Sequence, residues 1–125
     1  MTSKIIALVL IVFVFQCMVE NSQCTIMSCI PLSGITENEA VALLHRNLTQ
    51  ITPKIKCFGA CMVEDLHLID GCNLKYEEAK LNFDLEGQSN MTFALDECKN
   101  SIHSSERCEC GYELFKCMDD VFSKM

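Results

Sequence analysis

From residue 36 onward, apolar positions recur at helical spacing, broken by short polar or glycine-containing stretches. Thr36-Glu37-Asn38-Glu39 reads as a capping box, with Thr36 as N-cap and Glu39 at N3. Ala40, Val41, Leu43, Leu44 and Leu48 follow as its apolar face. Thr52-Pro53 opens a second helix: the threonine hydroxyl caps, and proline suits a first position where an N–H would have no partner. This helix is predicted to run through Cys57 and Cys61 to about Leu68, with Gly71 as its stop. Leu74, Leu81 and Leu85, at i, i+7 and i+11, predict a third helix over about 74–85, ended by Gly87. Ser89 or Asn90 then caps a short helix carrying Met91, Phe93, Ala94, Leu95 and Cys98. For the last helix, Ser105-Glu106 supplies a cap and a first-turn acid that suits the helix dipole. Its Cys110, Leu114, Cys117 and Val121 form an inward stripe, flanked by Tyr112, Phe115, Met118 and Phe122. No strand-period run, repeat or linker interrupts the pattern. The prediction is all-α: one compact domain of about five to six short helices.

The first residues carry a different pattern. Lys4 precedes an unbroken apolar run from Ile5 to Phe15, eleven residues and too short to span a bilayer. Residues 1–24 therefore read as a signal peptide, with Ser22 and Cys24 as small residues at −3 and −1 of the cleavage site, and 25–125 as the folded domain. Cleavage there removes Cys17 and Cys24 and leaves eight of the ten cysteines, an even set suited to four bridges in an oxidising compartment. The rival is cleavage a few residues earlier, which retains Cys24 as an odd thiol. The expected location is extracellular fluid, with no stable membrane insertion.

The formal charge of −7 argues against nucleic acid and anionic membranes as partners, since those bind through Lys and Arg contacts to phosphate. A domain of this size has little stability to spare. Four disulfides at about 2–4 kcal/mol each, not additive, would leave enough to tolerate a cavity.

Six cysteines at Cys29, Cys57, Cys61, Cys98, Cys108 and Cys117 enclose intervals of 27, 3, 36, 9 and 8 residues. Cys57 and Cys61 lie one turn apart on one helix face, so bridges can leave the same helix for two neighbours. The intervals of three and eight, with the local string Lys56-Cys57-Phe58-Gly59-Ala60-Cys61-Met62, resemble the insect odorant-binding protein family and its pheromone-binding members over Cys29 to Cys117. The resemblance implies the pairing Cys29–Cys61, Cys57–Cys108 and Cys98–Cys117, and a helical shell around an apolar cavity. Cys72 and Cys110 fall outside the six-cysteine pattern and are expected to form a fourth bridge, from the loop after the second predicted helix to the start of the last. Only Thr25 to Ser28 precede Cys29 after cleavage, so the helix that family members carry there should be lost or very short. Eight residues follow Cys117, too few for the long tail that some pheromone-binding members fold into the cavity.

As the resemblance implies, the expected function is carriage of a small hydrophobic molecule (an odorant, pheromone or tastant) to a chemosensory receptor, by a monomer or weak homodimer without a cofactor. The expected cavity lining is Phe93, Leu114, Phe115, Met118 and Phe122 on the last helices, with Phe58 and Met62 behind them; Leu66 and Phe83 are the reserve. A zinc site at Cys108-Glu109-Cys110 is disfavoured because oxidised thiols are not ligands. A helical phospholipase would need a His beside an Asp near paired cysteines and a glycine-rich calcium loop, and neither pattern is present. The competing class is a stapled helical interaction protein with no ligand inside. His45, His67 and His103 belong to no catalytic or ligating spacing. Asn47-Leu48-Thr49 and Asn90-Met91-Thr92 are glycosylation sequons.

Overall fold

The chain folds around a crossing of two helices whose closest point is made by glycine. In the computed structural model, which describes residues 25–48 and 50–125, six α-helices and one small hairpin are formed among the described residues. They are α1 (Thr25–Ser33), α2 (Glu37–Leu44), α3 (Pro53–Asp65), β1 (Ile69–Asp70), β2 (Asn73–Leu74), α4 (Tyr76–Leu85), α5 (Ser89–Glu97) and α6 (Arg107–Ser123). Helix α3 is buried along most of its length, through Ile55, Phe58, Ala60, Met62 and Val63, and α6 lies directly on it. A Cβ on Gly111 of α6 would stand 2.3 Å from the Ala60 Cβ, and one on Gly59 of α3 would stand 3.2 Å from the Tyr112 ring. The missing side chains let the two backbones approach, and Phe58, Met62, Leu68, Leu95 and Leu114 close the core around them.

Four disulfides fix this arrangement. Cys29–Cys61 ties α1 to α3, Cys57–Cys108 ties α3 to α6, and Cys98–Cys117 ties the end of α5 to α6. Cys72–Cys110 ties the hairpin loop to α6. No free cysteine is found among the described residues. The expected signal segment 1–24 lies outside the described residues, and so does Thr49 of the first sequon.

Helix starts follow the sequence closely where a hydroxyl caps. Thr36 and Glu39 exchange bonds in a capping box, Glu39 N donating to Thr36 Oγ1 at 3.1 Å and Thr36 N to Glu39 Oε1 at 3.0 Å. Ile55 N donates to Thr52 Oγ1, with Pro53 in the first turn of α3. Two starts differ from the reading. Gln88, not Ser89 or Asn90, occupies the N-cap of α5 without a side-chain bond. Glu106 itself caps α6, its carboxylate accepting from Cys108 N and Glu109 N, so Ser105 has no part in it.

Helix ends were less legible. Three helices finish on a left-handed residue with the paired bonds of a Schellman motif: Arg46 (φ 59) after α2, His67 (φ 61) after α3 and Gly87 (φ 71) after α4. Only the last is glycine, so α3 stops at Asp65 rather than near Leu68. Gly71 (φ 62) serves instead in the two-residue loop of the hairpin, where Ile69 pairs with Leu74 and Asp70 with Asn73. Strands of two residues are too short to leave a period in the sequence. Helix α1 places only Thr25 to Ser28 ahead of Cys29, which is buried within it, and continues to Ser33 with Gly34 (φ 83) after its last residue.

Four apolar faces also differ from expectation. On α2, Val41 is 54% exposed and Leu48 lies past the end of the helix. On α4 the leucine stripe points outward, Leu81 being 59% and Leu85 77% exposed, while Ala79 and Phe83, one turn apart, enter the core. On α5, Met91, Ala94, Leu95 and Cys98 at i, i+3, i+4 and i+7 face inward, and the bridge to Cys117 holds that face. On α6 Cys110 and Leu114 of the expected stripe are fully buried, whereas Cys117 and Val121 are half-buried at its edge. Phe115, Met118 and Phe122 from the expected flank are buried with them, and Tyr112 is half-buried.

Candidate functional site

The side of α6 turned away from the hairpin forms one wall of an open cleft of about 250 Å³. Its opposite wall is the end of α2 and the segment that leads to α3. Leu43, Leu48, Ile51, Tyr112 and Phe115 supply apolar lining, and Arg46, Lys116, Asp119 and Asp120 supply charge. Leu43 and Phe115 are buried in the floor, while Ile51 stands at the mouth with 38% of its surface exposed. The Tyr112 and Phe115 rings lie with centroids 6.5 Å apart, so the floor is a continuous aromatic and aliphatic surface.

This cleft exists because of how α2 ends. The left-handed turn at Arg46 sends the chain away from the α2 axis and throws the Arg46 side chain across to α6. There Nη1 donates to Asp119 Oδ2 at 3.1 Å and to the Asp119 carbonyl at 3.3 Å, and Nη2 donates to Asp120 Oδ1 at 2.8 Å. Burial pushes the Asp119 carboxyl above its ordinary value, and the Arg46 charge works against that rise. Burial likewise raises the Tyr112 phenol. Neither the Tyr112 hydroxyl nor the Lys116 ammonium has a hydrogen-bond or ion-pair partner among the described residues.

A second, polar cleft of about 380 Å³ lies between the end of α3, the hairpin and α4, lined by Glu64, His67, Ile69, Asp70, Lys75 and Glu78. Glu64 is held by Arg107 at 2.7 Å through both carboxylate oxygens. Asp65 stands near Cys29 and Cys61 in a cluster of metal-ligand type, but both sulfurs are spent in a disulfide. His45, His67 and His103 are all exposed.

Of the residues expected to line a cavity, Phe115 reaches the apolar cleft, and Leu114, Met118, Phe122, Phe58 and Met62 sit behind it in one buried cluster. Phe93 is corrected: it is 52% exposed on the outer face of α5, because the disulfide at Cys98 turns the opposite face inward. Leu43, Leu48, Ile51, Tyr112 and the Arg46 latch were not expected as site residues. Leu48, expected on the apolar face of the first helix, lies past its end in a connector with Ile51, and Arg46 gives no sign in sequence that it takes the left-handed turn that ends that helix.

The family model of the PBP/GOBP family matches residues 14–120. Among solved structures, the fatty acid binding protein OBP56a from the oral disk of the blowfly Phormia regina is similar to this chain, with a TM-score of 0.58 and 26% identity. The likeness covers 81% of this chain and 88% of that one. No curated protein sequence matches the chain. No helix among the described residues is long and apolar enough to cross a membrane. With a family match over most of the chain and a helical fold shared with a solved fatty acid binding protein, the chain belongs to the PBP/GOBP family of insect odorant-binding proteins, small-ligand carriers rather than enzymes.

Proposed function

We propose that the protein is a secreted carrier that takes up small hydrophobic molecules in extracellular fluid and delivers them to chemosensory receptors. The observation that carries this reading is the apolar cleft set in a shell locked by four disulfides, in a chain of this family. At about 250 Å³ the cleft is near the lower end of small-molecule sites, which run from about 300 to 1,000 Å³, so the cargo is a small molecule. Leu43, Leu48, Ile51 and Phe115 remove the apolar part of the ligand from water, each buried methylene contributing about 0.8 kcal/mol. Behind Phe115, the side chains of Met62 and Met118 can repack around cargo of different shape, since methionine is unbranched and adaptable. The fatty acid ligand of the blowfly protein makes aliphatic chains the first candidates. Residues 1–24 act as the secretion signal in this reading.

Displacement of a fluorescent apolar probe by volatile alcohols, esters and fatty acids tests the carrier reading. Saturable displacement is expected, and Ile51→Ser should weaken it with little change in melting temperature, because Ile51 stands at the mouth. A protein that binds none of these molecules is not a carrier of this kind. The exposed Leu81, Leu85 and Phe93 on α4 and α5 favour a second role for that surface, contact with the receptor, which Phe93→Ser should weaken while leaving probe binding intact.

A further inference from the structure

We infer that the cleft between α2 and α6 selects ligands whose polar end is a carboxylate, held by the Lys116 ammonium and the Tyr112 hydroxyl. This rests on the carrier reading and adds a ligand class to it. Arg46 is committed to both acids of α6, donating to Asp119 and Asp120 at 2.8–3.3 Å. That guanidinium offsets one of the two charges on Asp119 and Asp120, and Lys116 is the second cation on the same wall. Lys56, whose charge reaches Tyr112, is taken by Glu109 at 2.8 Å. Two groups then remain unspent on the cleft wall among the described residues: Lys116, which has three N–H donors and no partner, and Tyr112, whose hydroxyl has none.

Both lie on α6 four residues apart, one above the other on a single face. They flank Phe115, whose ring belongs to the apolar floor. A ligand tail resting on Phe115, Leu43 and Leu48 therefore ends against the stretch of α6 that carries the Lys116 cation and the Tyr112 hydroxyl. A carboxylate accepts from both at once. A methyl ester keeps the acceptor oxygens but loses the charge attraction, and an alcohol offers one oxygen only. The Arg46 latch has a part in this selectivity, because without it the two acids of α6 would repel an anionic head from the same wall.

The test uses the disulfide-intact protein spanning Thr25 to Met125, with decanoic acid, methyl decanoate and decan-1-ol titrated against a fluorescent apolar probe at pH 7. Decanoic acid should bind about fivefold more tightly than methyl decanoate, the size of a partly exposed ion pair. Lys116→Gln should erase that ratio by lowering acid affinity to that of the ester, and Tyr112→Phe should reduce it in part. Shortening the acid by one methylene should cost about fourfold, the same increment as for the ester series. Lys116 is exposed, so its substitution leaves the fold intact, which circular dichroism and the melting temperature of the variant establish. Equal binding of acid and ester, or an acid preference that survives Lys116→Gln, overturns the inference and leaves the carrier reading standing. Failure of all three ligands to displace the probe removes both.

Discussion

Helix α6 has two sides that are built differently. Against α3 it is held by glycine-mediated contact at Gly111 and Ala60, by Cys57–Cys108 beside that crossing, and by ion pairs Lys56–Glu109 and Arg107–Glu64. Against α2 it has no covalent tie among the described residues, an open cleft, and one arginine reaching across from a left-handed turn. The first seam is closely packed at Gly111 and Ala60, so it sets where the α6 residues point. The second can open without breaking a disulfide among the described residues, at the cost of uncovering Leu43 and Phe115. A carrier needs both: a wall that does not move and one that yields to cargo.

The largest expected effect lies at the tight seam. An exposed helical glycine replaced by alanine ordinarily gains about 0.8–1.0 kcal/mol of helix propensity. At Gly111 the sign should reverse, since the new methyl would meet the Ala60 Cβ at 2.3 Å and its Cα at 2.4 Å. With α3 and α6 also cross-linked, the helices cannot part freely, and Gly111→Ala should destabilise by about 1–3 kcal/mol, the range for overpacked cores. Thermal or urea melts of the oxidised protein decide it. A melting point unchanged or raised would mean the seam is no tighter than the cleft.

At the open side the same measurement should give less. Arg46→Ala removes a bidentate reach onto Asp119 and Asp120, but the side chains involved are partly exposed, so the loss should stay within about 1 kcal/mol. Its larger consequence should be kinetic: faster probe release in stopped-flow exchange, because the connector from Asn47 to Ile51 is then untethered from α6. Equal release rates in the two proteins would show that the latch does not restrain the cleft.

The smallest effect separates the two sides by pH. Burial raises the Asp119 carboxyl, so its folded value lies above the unfolded one and its ionised form weighs on the fold at neutral pH. The stability tied to this group is present in acid and lost as pH rises through the raised value. Asp119→Asn should remove that dependence while keeping an oxygen for Arg46. Its melting point relative to the parent protein should therefore be highest near neutral pH and fall back as the solution is acidified, with a span under about 1 kcal/mol. A difference that stays flat from pH 7 down through the carboxylate range would place no titrating strain in the cleft.

Local chemistry settled a good deal of this protein before any folding was considered. Capping at Thr36 and Thr52, the helical class, and the cysteine order that marks the family are properties of neighbouring residues or of spacing, and short-range bonding suffices to express them. The tertiary structure decided which face each helix turns inward. Leu81, Leu85 and Phe93 have the hydrophobicity of core residues, yet a helix can bury only one stripe, and the choice on α5 is fixed by where Cys98 must meet Cys117. It also decided where helices stop, since the left-handed turns at Arg46 and His67 fall on residues other than the glycine that ordinarily marks such a turn and persist through the bonds they close and, at Arg46, through an ion pair to a helix more than seventy residues away. The cleft is a product of those decisions. Its floor comes from α6, its mouth from a connector, and no interval along the chain encodes their meeting.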